Sequence, residues 1–276
     1  MTTTNAMTTT NAMTTTNAMI TTNAVTATTA LTTTPAAAAP ARTANRIRPL
    51  ALGGAQVEAL VVRDAEDFPV EGRTIVVNAG AHPALLAGTP RTVIPPLAST
   101  VLVDATVARA ELLVLVRVRE QRPAAVILAE PGWARLADLL PGFPRDTPLW
   151  RGPQDDLGAV ELDPARLLGG SRSTERPREF GVRVNLWFAP AGTDCGLHDR
   201  HPFLEVHTQV QGTGRMQTFR AEDHATLRQD VLMSPGHTHD PFCDLGPDGA
   251  FRYPWHQYRA DTDSLWLAVE YHARQS

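Results

Sequence analysis

Eight of the nine histidines in this 276-residue chain fall between His198 and His272, and only His82 lies elsewhere. They gather in two stretches. One is GTDCGLHDRHPFLEVHTQVQG, from Gly192 to Gly212; the other is SPGHTHDPF, from Ser234 to Phe242. Histidine is the commonest metal ligand and titrates near neutral pH. A carboxylate, Glu205, stands four residues after His201, with His207 two further on. Imidazole and carboxylate at such spacing form a mixed nitrogen and oxygen donor set suited to a divalent transition metal. Satisfied histidines in ordinary strands are the competing reading, but the crowding favours a metal site.

The elements needed to position these residues are short strands. In VRVNLWF (Val182–Phe188), Arg183, Asn185 and Trp187 alternate with Val184, Leu186 and Phe188. Glu205, His207 and Gln209 share one face of the next segment, against Val206 and Val210. In SLWLAVEYH, Trp266, Ala268, Glu270 and His272 oppose Leu265, Leu267, Val269 and Tyr271. Period-two patterns of this kind are half-buried strands. Joined by Gly, Pro and Asp turns, they predict a small antiparallel barrel or sandwich with a polar interior. Buried polar groups need partners, so such an interior implies a pocket.

These residues resemble the cupins. Gly192, five residues, then His198 matches the start of the first cupin motif; His201, three residues, Glu205, six residues, Gly212 matches its end. Two residues rather than one separate the histidines, so alignment from Glu205 puts Asp199 at the first histidine position. His198 replaces it if a bulge turns the strand edge inward. Gly236 and His239 fit the second motif, with Pro235 adjacent to the glycine and Cys243 where an Asn is usual. The resemblance, covering roughly 181–272, implies a C-terminal cupin-type antiparallel β-barrel, or jelly roll. It implies one divalent metal held by His201, Glu205 and His239, with His198 or Asp199 as the fourth ligand. Fe(II) and Zn(II) head the candidates, with Mn(II) and Ni(II) behind. It also implies an enzyme acting on a small polar metabolite by oxygenase, isomerase, lyase or condensation chemistry, and a homodimer. A non-catalytic ligand-sensing cupin is the alternative. Such sensors usually carry a helix-turn-helix segment, and none is legible here.

Around this set, Glu205 and His207 are candidate acid/base groups, and His256 in YPWHQY is a candidate substrate-holding or ligand-orienting residue. A hydrogen-bonded interior histidine is an equal reading of His207. His237 shares strand parity with His239. Tyr253, Trp255 and Tyr258 read as rim or packing, His224 as part of a solvated turn, and Arg183 and Arg215 as surface residues. Cys195 and Cys243, the two cysteines, read as buried thiols of a reduced, cytoplasmic protein.

Before this region the chain carries less chemistry. Residues 1–36 are six imperfect hexapeptides, MTTTNA three times and then MITTNA, VTATTA and LTTTPA. They lack charge and almost all large apolar side chains, which predicts a disordered tail to residue 42. Residues 43–145 read as a smaller α/β domain or a degenerate barrel. Strands are expected at Val57–Val62, Thr74–Asn78, Ser99–Ala105 and Ala124–Pro131. Helices are expected at Pro83–Ala87 and Trp133–Leu140, with Val107–Arg119 readable as helix or strand. Residues 146–178, rich in Pro, Gly, Asp and Arg, read as a linker with a short helix near Asp163–Leu168. A formal charge of −4, with every basic residue an arginine, gives no electrostatic case for nucleic acid. No apolar run reaches the length of a membrane span.

Overall fold

The computed structural model describes residues 43–274 apart from 53, 120–121 and 170–176; the repeat tail expected over 1–42 lies outside them. The first strands are β1 (Arg46–Pro49), β2 (Val57–Asn78), β3 (Ala84–Leu86), β4 (Val93–Ile94) and β5 (Ser99–Val118). They form one antiparallel sheet in the order β1-β2-β5-β3-β4. The two long strands bend back on themselves, because Ile75 pairs with both Val101 and Val116. Left-handed backbone at Asp64, Asp67 and Gly72 on β2 and at Asp104 on β5 lets the ribbon turn.

This region is an all-antiparallel sheet, which corrects the α/β reading: the expected helix at Pro83–Ala87 is replaced by β3, and Val107–Arg119, readable either way, falls on the second half of β5. In LLVLV, Leu112, Val114 and Val116 join one core cluster while Leu113 and Leu115 join another. A strand buried on both faces shows a continuous apolar run, which resembles a helix in sequence. Ala124–Pro131 is corrected the other way. Ala124–Ala129 is a 3-10 turn bounded by Pro123 that buries Ala124 and Ile127 three residues apart. The helix expected over Trp133–Leu140 shrinks to a two-residue strand, β6 (Ala134–Arg135), and one helical turn, α1 (Leu136–Leu139).

The stretch read as linker contains β7 (Trp150–Leu162), a thirteen-residue strand paired along β8 (Arg178–Ala189). Its Gly and Asp residues are accommodated where the register shifts, between Asp156 and Gly158. The expected short helix is present as α2 (Pro164–Leu167), capped by the Asp163 carboxylate accepting from the Arg166 N–H.

The remaining strands are β9 (Leu204–Gln211), β10 (Gly214–Phe219), β11 (Leu227–Met233), β12 (Asp244–Leu245), β13 (Phe251–Arg252), β14 (Trp255–Ala260) and β15 (Ser264–Ala273). One sheet runs β6-β7-β8-β15-β9, a second runs β11-β10-β14, and β12 pairs with β13. All the described pairings are antiparallel and the architecture is mainly β.

Alternation along β8, β9 and β15 divides this sheet into two faces. Val182, Val184, Leu186 and Phe188 of β8, with Leu265, Leu267, Val269 and Tyr271 of β15, pack in one core cluster with Val57, Val77 and Val114 of the first sheet. Each such side chain contributes ~1.5–3 kcal/mol on removal from water. The opposite face carries the polar residues and looks toward Met216, Met233 and Tyr258, which pack with Trp266. A second core cluster lies on the other face of the first sheet and includes Val62, Phe68, Val107 and Leu113. Of the described histidines only His82, exposed and 3.2 Å from Glu111, lies outside residues 198–272. Among the described residues no helix is long and apolar enough to cross a membrane.

Candidate metal centre

His198 and His201 stand in the loop between β8 and β9, and His256 is the second residue of β14. Two backbone hydrogen bonds tie His198 to His256: the His198 N–H donates to the His256 carbonyl at 3.0 Å, and the His256 N–H donates back at 2.9 Å. This isolated antiparallel bridge sets the two rings 4.2 Å apart, centroid to centroid. His201 Nε2 then lies 2.9 Å from His198 Nε2 and 3.0 Å from His256 Nε2.

The other ring nitrogens decide what this means. His198 Nδ1 lies 3.0 Å from the Gly196 carbonyl, and His256 Nδ1 lies 2.9 Å from the Pro254 carbonyl. A carbonyl only accepts, so each Nδ1 carries the proton and each Nε2 presents a lone pair inward. A backbone carbonyl on the outer nitrogen is the usual way a ligating histidine is oriented. Burial holds His201 at a pKa of about 4 and His256 at about 3, in both cases against the attraction of Glu205. Both are neutral at pH 7, as ligation requires. At 2.9–3.0 Å from both, His201 Nε2 either donates a proton to one of these lone pairs or adds its own to a shared cation. A metal at ~2.1 Å from two nitrogens at a right angle separates them by about 3.0 Å. Three imidazole nitrogens within 4.8 Å of one another are a donor set that fits a divalent metal.

Glu205 stands behind the cluster, not in it. Its Oε2 is 3.8 Å from His201 Nδ1, and its Oε1 is 3.2 Å from His207 Nε2. Burial raises its pKa, but His207, His201 and His256 outweigh burial and hold it at about 2. The ionised carboxylate accepts from the Nε2–H of His207 and stands at ion-pair distance, beyond hydrogen-bond range, from His201 Nδ1. Tyr253 fixes the strand entry: its hydroxyl accepts from the Glu205 N–H at 2.9 Å and donates to the Phe203 carbonyl at 3.1 Å.

Three residues expected to ligate stand elsewhere. His239 has both nitrogens occupied, Nε2 accepting the His207 N–H and Nδ1 donating to the Asp240 carbonyl, each at 2.9 Å. Burial lowers its pKa to about 3, leaving a neutral strut between β9 and the following loop. Asp199 turns outward to the exposed Arg200, 3.6 Å away. Glu205 supports His201 rather than joining the three nitrogens. His256, read from sequence as an orienting residue, supplies the third nitrogen instead. Its bridge to His198 joins positions 58 residues apart, and no local spacing reports that.

The other expectations fall more simply. His237 is exposed, and the exposed His224 reaches the buried Gln257 side chain at 3.2 Å. Arg215 pairs with Asp230 and Asp261, and Tyr258 stacks on Trp266 at 3.9 Å between ring centroids. Both cysteines are free and buried, which pushes their thiols upward in pKa. A surface cleft of about 760 Å³, lined by residues including Arg63, Arg109, Glu111 and Glu161, shares no residue with the histidine cluster.

No family model matches the chain, and no curated protein matches it. Several solved structures are similar. A cupin 2 conserved barrel domain protein from Leptotrichia buccalis is 8% identical, with 84% of this chain and 91% of that one covered and a TM-score of 0.26. An RmlC-like cupin protein from Desulfovibrio desulfuricans is 16% identical over 32% of this chain and 70% of its own, with a TM-score of 0.23. The Escherichia coli ribosomal oxygenase YcfD is 18% identical over 34% of this chain, with a TM-score of 0.25. This chain spans 24% of that oxygenase.

Proposed function

We propose that this protein is a metal-dependent enzyme of cupin type, which binds one divalent transition ion through the Nε2 atoms of His198, His201 and His256 and acts on a small polar molecule. The observation that carries the proposal is the convergence of three imidazole Nε2 atoms, two of them with inward lone pairs because the outer nitrogens of His198 and His256 are tied to carbonyls. When bound, the ion supplies Lewis acidity and open coordination positions for substrate or a small co-reactant. Three neutral imidazoles leave its double positive charge uncompensated by any direct ligand, so an anionic group on the substrate is favoured there.

The chain's own residues supply proton handling. Glu205 holds His207 by its Nε2, and the free His207 Nδ1 is the atom able to accept a proton from bound substrate. Glu205 also steadies the ring of His201, which couples the proton-accepting group to the metal ligands through one carboxylate. The half-buried rings of Phe203 and Tyr253 pack against His201 and that of Phe242 against His256, while His198 stays exposed, so the centre is open to solvent on the His198 side.

The test is metal analysis by mass spectrometry on protein purified without a metal-affinity tag. The expected result is one equivalent in the parent, lost in His198→Ala, His201→Ala and His256→Ala. Iron would direct assays to oxygen-consuming reactions; zinc, manganese or nickel would direct them to isomerisation, elimination or condensation. Absence of metal after reconstitution would sink the enzyme reading and leave a ligand-sensing module.

A further inference from the structure

Strand β9 is the last strand of its sheet, and residues 234–240 run along its outer edge. The Gln209 N–H donates to the His237 carbonyl and the Gly236 N–H to the Gln209 carbonyl, each at 2.9 Å. The His239 N–H donates to the His207 carbonyl at 3.3 Å, and the His207 N–H donates to His239 Nε2 at 2.9 Å. In an antiparallel strand each residue turns its N–H and C=O to one side. Those of His207 face away from β15, so this segment holds the backbone of His207 from the side that its own sheet leaves open.

The segment is held in turn by the first sheet. Ser99, at the start of β5, donates its hydroxyl proton to the Gly236 carbonyl at 2.8 Å. Its oxygen also lies 2.6 Å from Thr238 Oγ1, which lies 2.6 Å from Thr208 Oγ1 across an isolated bridge. A hydroxyl has one proton to give. Ser99 has spent its own on a carbonyl, so Thr238 donates to Ser99, and Thr208 donates to Thr238. The direction of the whole chain is thereby set, from Thr208 on β9 to Ser99 on β5. Both threonines are buried, where loss of one partner leaves the other unsatisfied. At Gly236 the backbone has a φ of +89°, and an added Cβ would run into Val101 Cγ2. Strand β5 thus presses directly on the turn, and only glycine allows that approach.

We infer that Ser99 is a positioning residue for His207, and that the first sheet fixes this proton-accepting side chain through the line Ser99, Thr238, His239, His207. The line leads to the acid/base group and not to the metal, since none of His198, His201 and His256 lies on it. A loosened segment frees β9 at His207 and moves the imidazole against the Glu205 carboxylate, 3.2 Å from its Nε2. The inference rests on the proton-handling role proposed above for His207.

The experiment follows the full chain, isotope-labelled and zinc-loaded, by NMR. Exchange of the His207 amide proton, the ring-nitrogen signals of the histidines and zinc content are measured for the parent, Ser99→Ala, Thr238→Val and Val62→Ala. Val62 packs on the other face of the first sheet and controls for general loosening. Ser99→Ala and Thr238→Val should each speed exchange at His207 about five- to tenfold, the loss of one hydrogen bond, and shift its ring signals. Zinc content and the ring signals of His198, His201 and His256 should stay as in the parent, and Val62→Ala should leave His207 unchanged. In His239→Ala the His207 N–H has already lost its acceptor, so adding Ser99→Ala should speed its exchange no further. Unchanged His207 signals and exchange in Ser99→Ala, an equal response in Val62→Ala, or independent effects in the double variant would overturn the inference. A parent that takes up no zinc would overturn the metal reading, and the same measurements on that metal-free protein would still decide the line from Ser99.

Discussion

His239 and His256 give the sharpest contrast between motif and geometry, and substituting each with glutamine separates them. His256 offers Nε2 to the centre, 3.0 Å from His201 Nε2, whereas both nitrogens of His239 are bound to backbone. A structural zinc site with four ligands is worth ~10–16 kcal/mol at neutral pH, or ~2.5–4 kcal/mol per ligand if shared equally. Loss of one imidazole from the cluster should therefore weaken metal binding by about 10²–10³-fold. In His239→Gln the side-chain oxygen can accept the His207 N–H and the amide can donate to the Asp240 carbonyl. That variant should keep metal affinity within about threefold and lose only ~1–2 kcal/mol of stability. The assay titrates metal-free protein with zinc against a coloured competing chelator, with circular dichroism as a check on folding. Strong metal loss in His239→Gln together with retention in His256→Gln would refute the assignment of ligands from the converging Nε2 atoms.

Three further outcomes are expected. Glu205→Gln removes the carboxylate behind His201 and should lower metal affinity about 10–100-fold without changing the stoichiometry, in the same chelator competition. In the metal-free protein, His239 has a folded-state pKa of about 3, below the ~6.5 of an unfolded histidine. The unfolded chain then binds more protons between those values, so stability falls as pH drops below about 6.5 and goes on falling toward about 3. Well inside that window the slope is ~1.4 kcal/mol per pH unit, and urea denaturation at stepped pH should show His239→Gln losing that much less per unit than the parent. Gly212 turns between β9 and β10 with a φ of +74°, and an added Cβ would run into the Asp263 carbonyl. Gly212→Ala should therefore cost more than ~2 kcal/mol in the same measurement, and a neutral effect would contradict the turn.

The polar and apolar faces of β8, β9 and β15 were readable in the sequence because strand alternation is local: two residues apart means the same side. That alternation separates Asn185, Glu205 and His207 from the shared apolar core, and it predicts a polar-lined barrel. The crowding of histidines likewise marked the part of the chain in which His198, His201 and His256 converge. Local pattern failed where burial is two-sided, as in Leu112–Val116, or where turn-forming residues occupy a bent strand, as in β7.

What the sequence by itself determined is the chemistry available, the strand rhythm and the face on which each polar side chain lies. What only the tertiary structure decided is which imidazoles meet. The motif spacing nominates His239 and Asp199, but an imidazole becomes a ligand only if its lone pair is free and aimed. Backbone carbonyls of Gly196 and Pro254 free the Nε2 of His198 and His256, while the His207 N–H consumes that of His239. Those partners depend on cross-strand bridges between distant segments, and chain spacing carries no record of them.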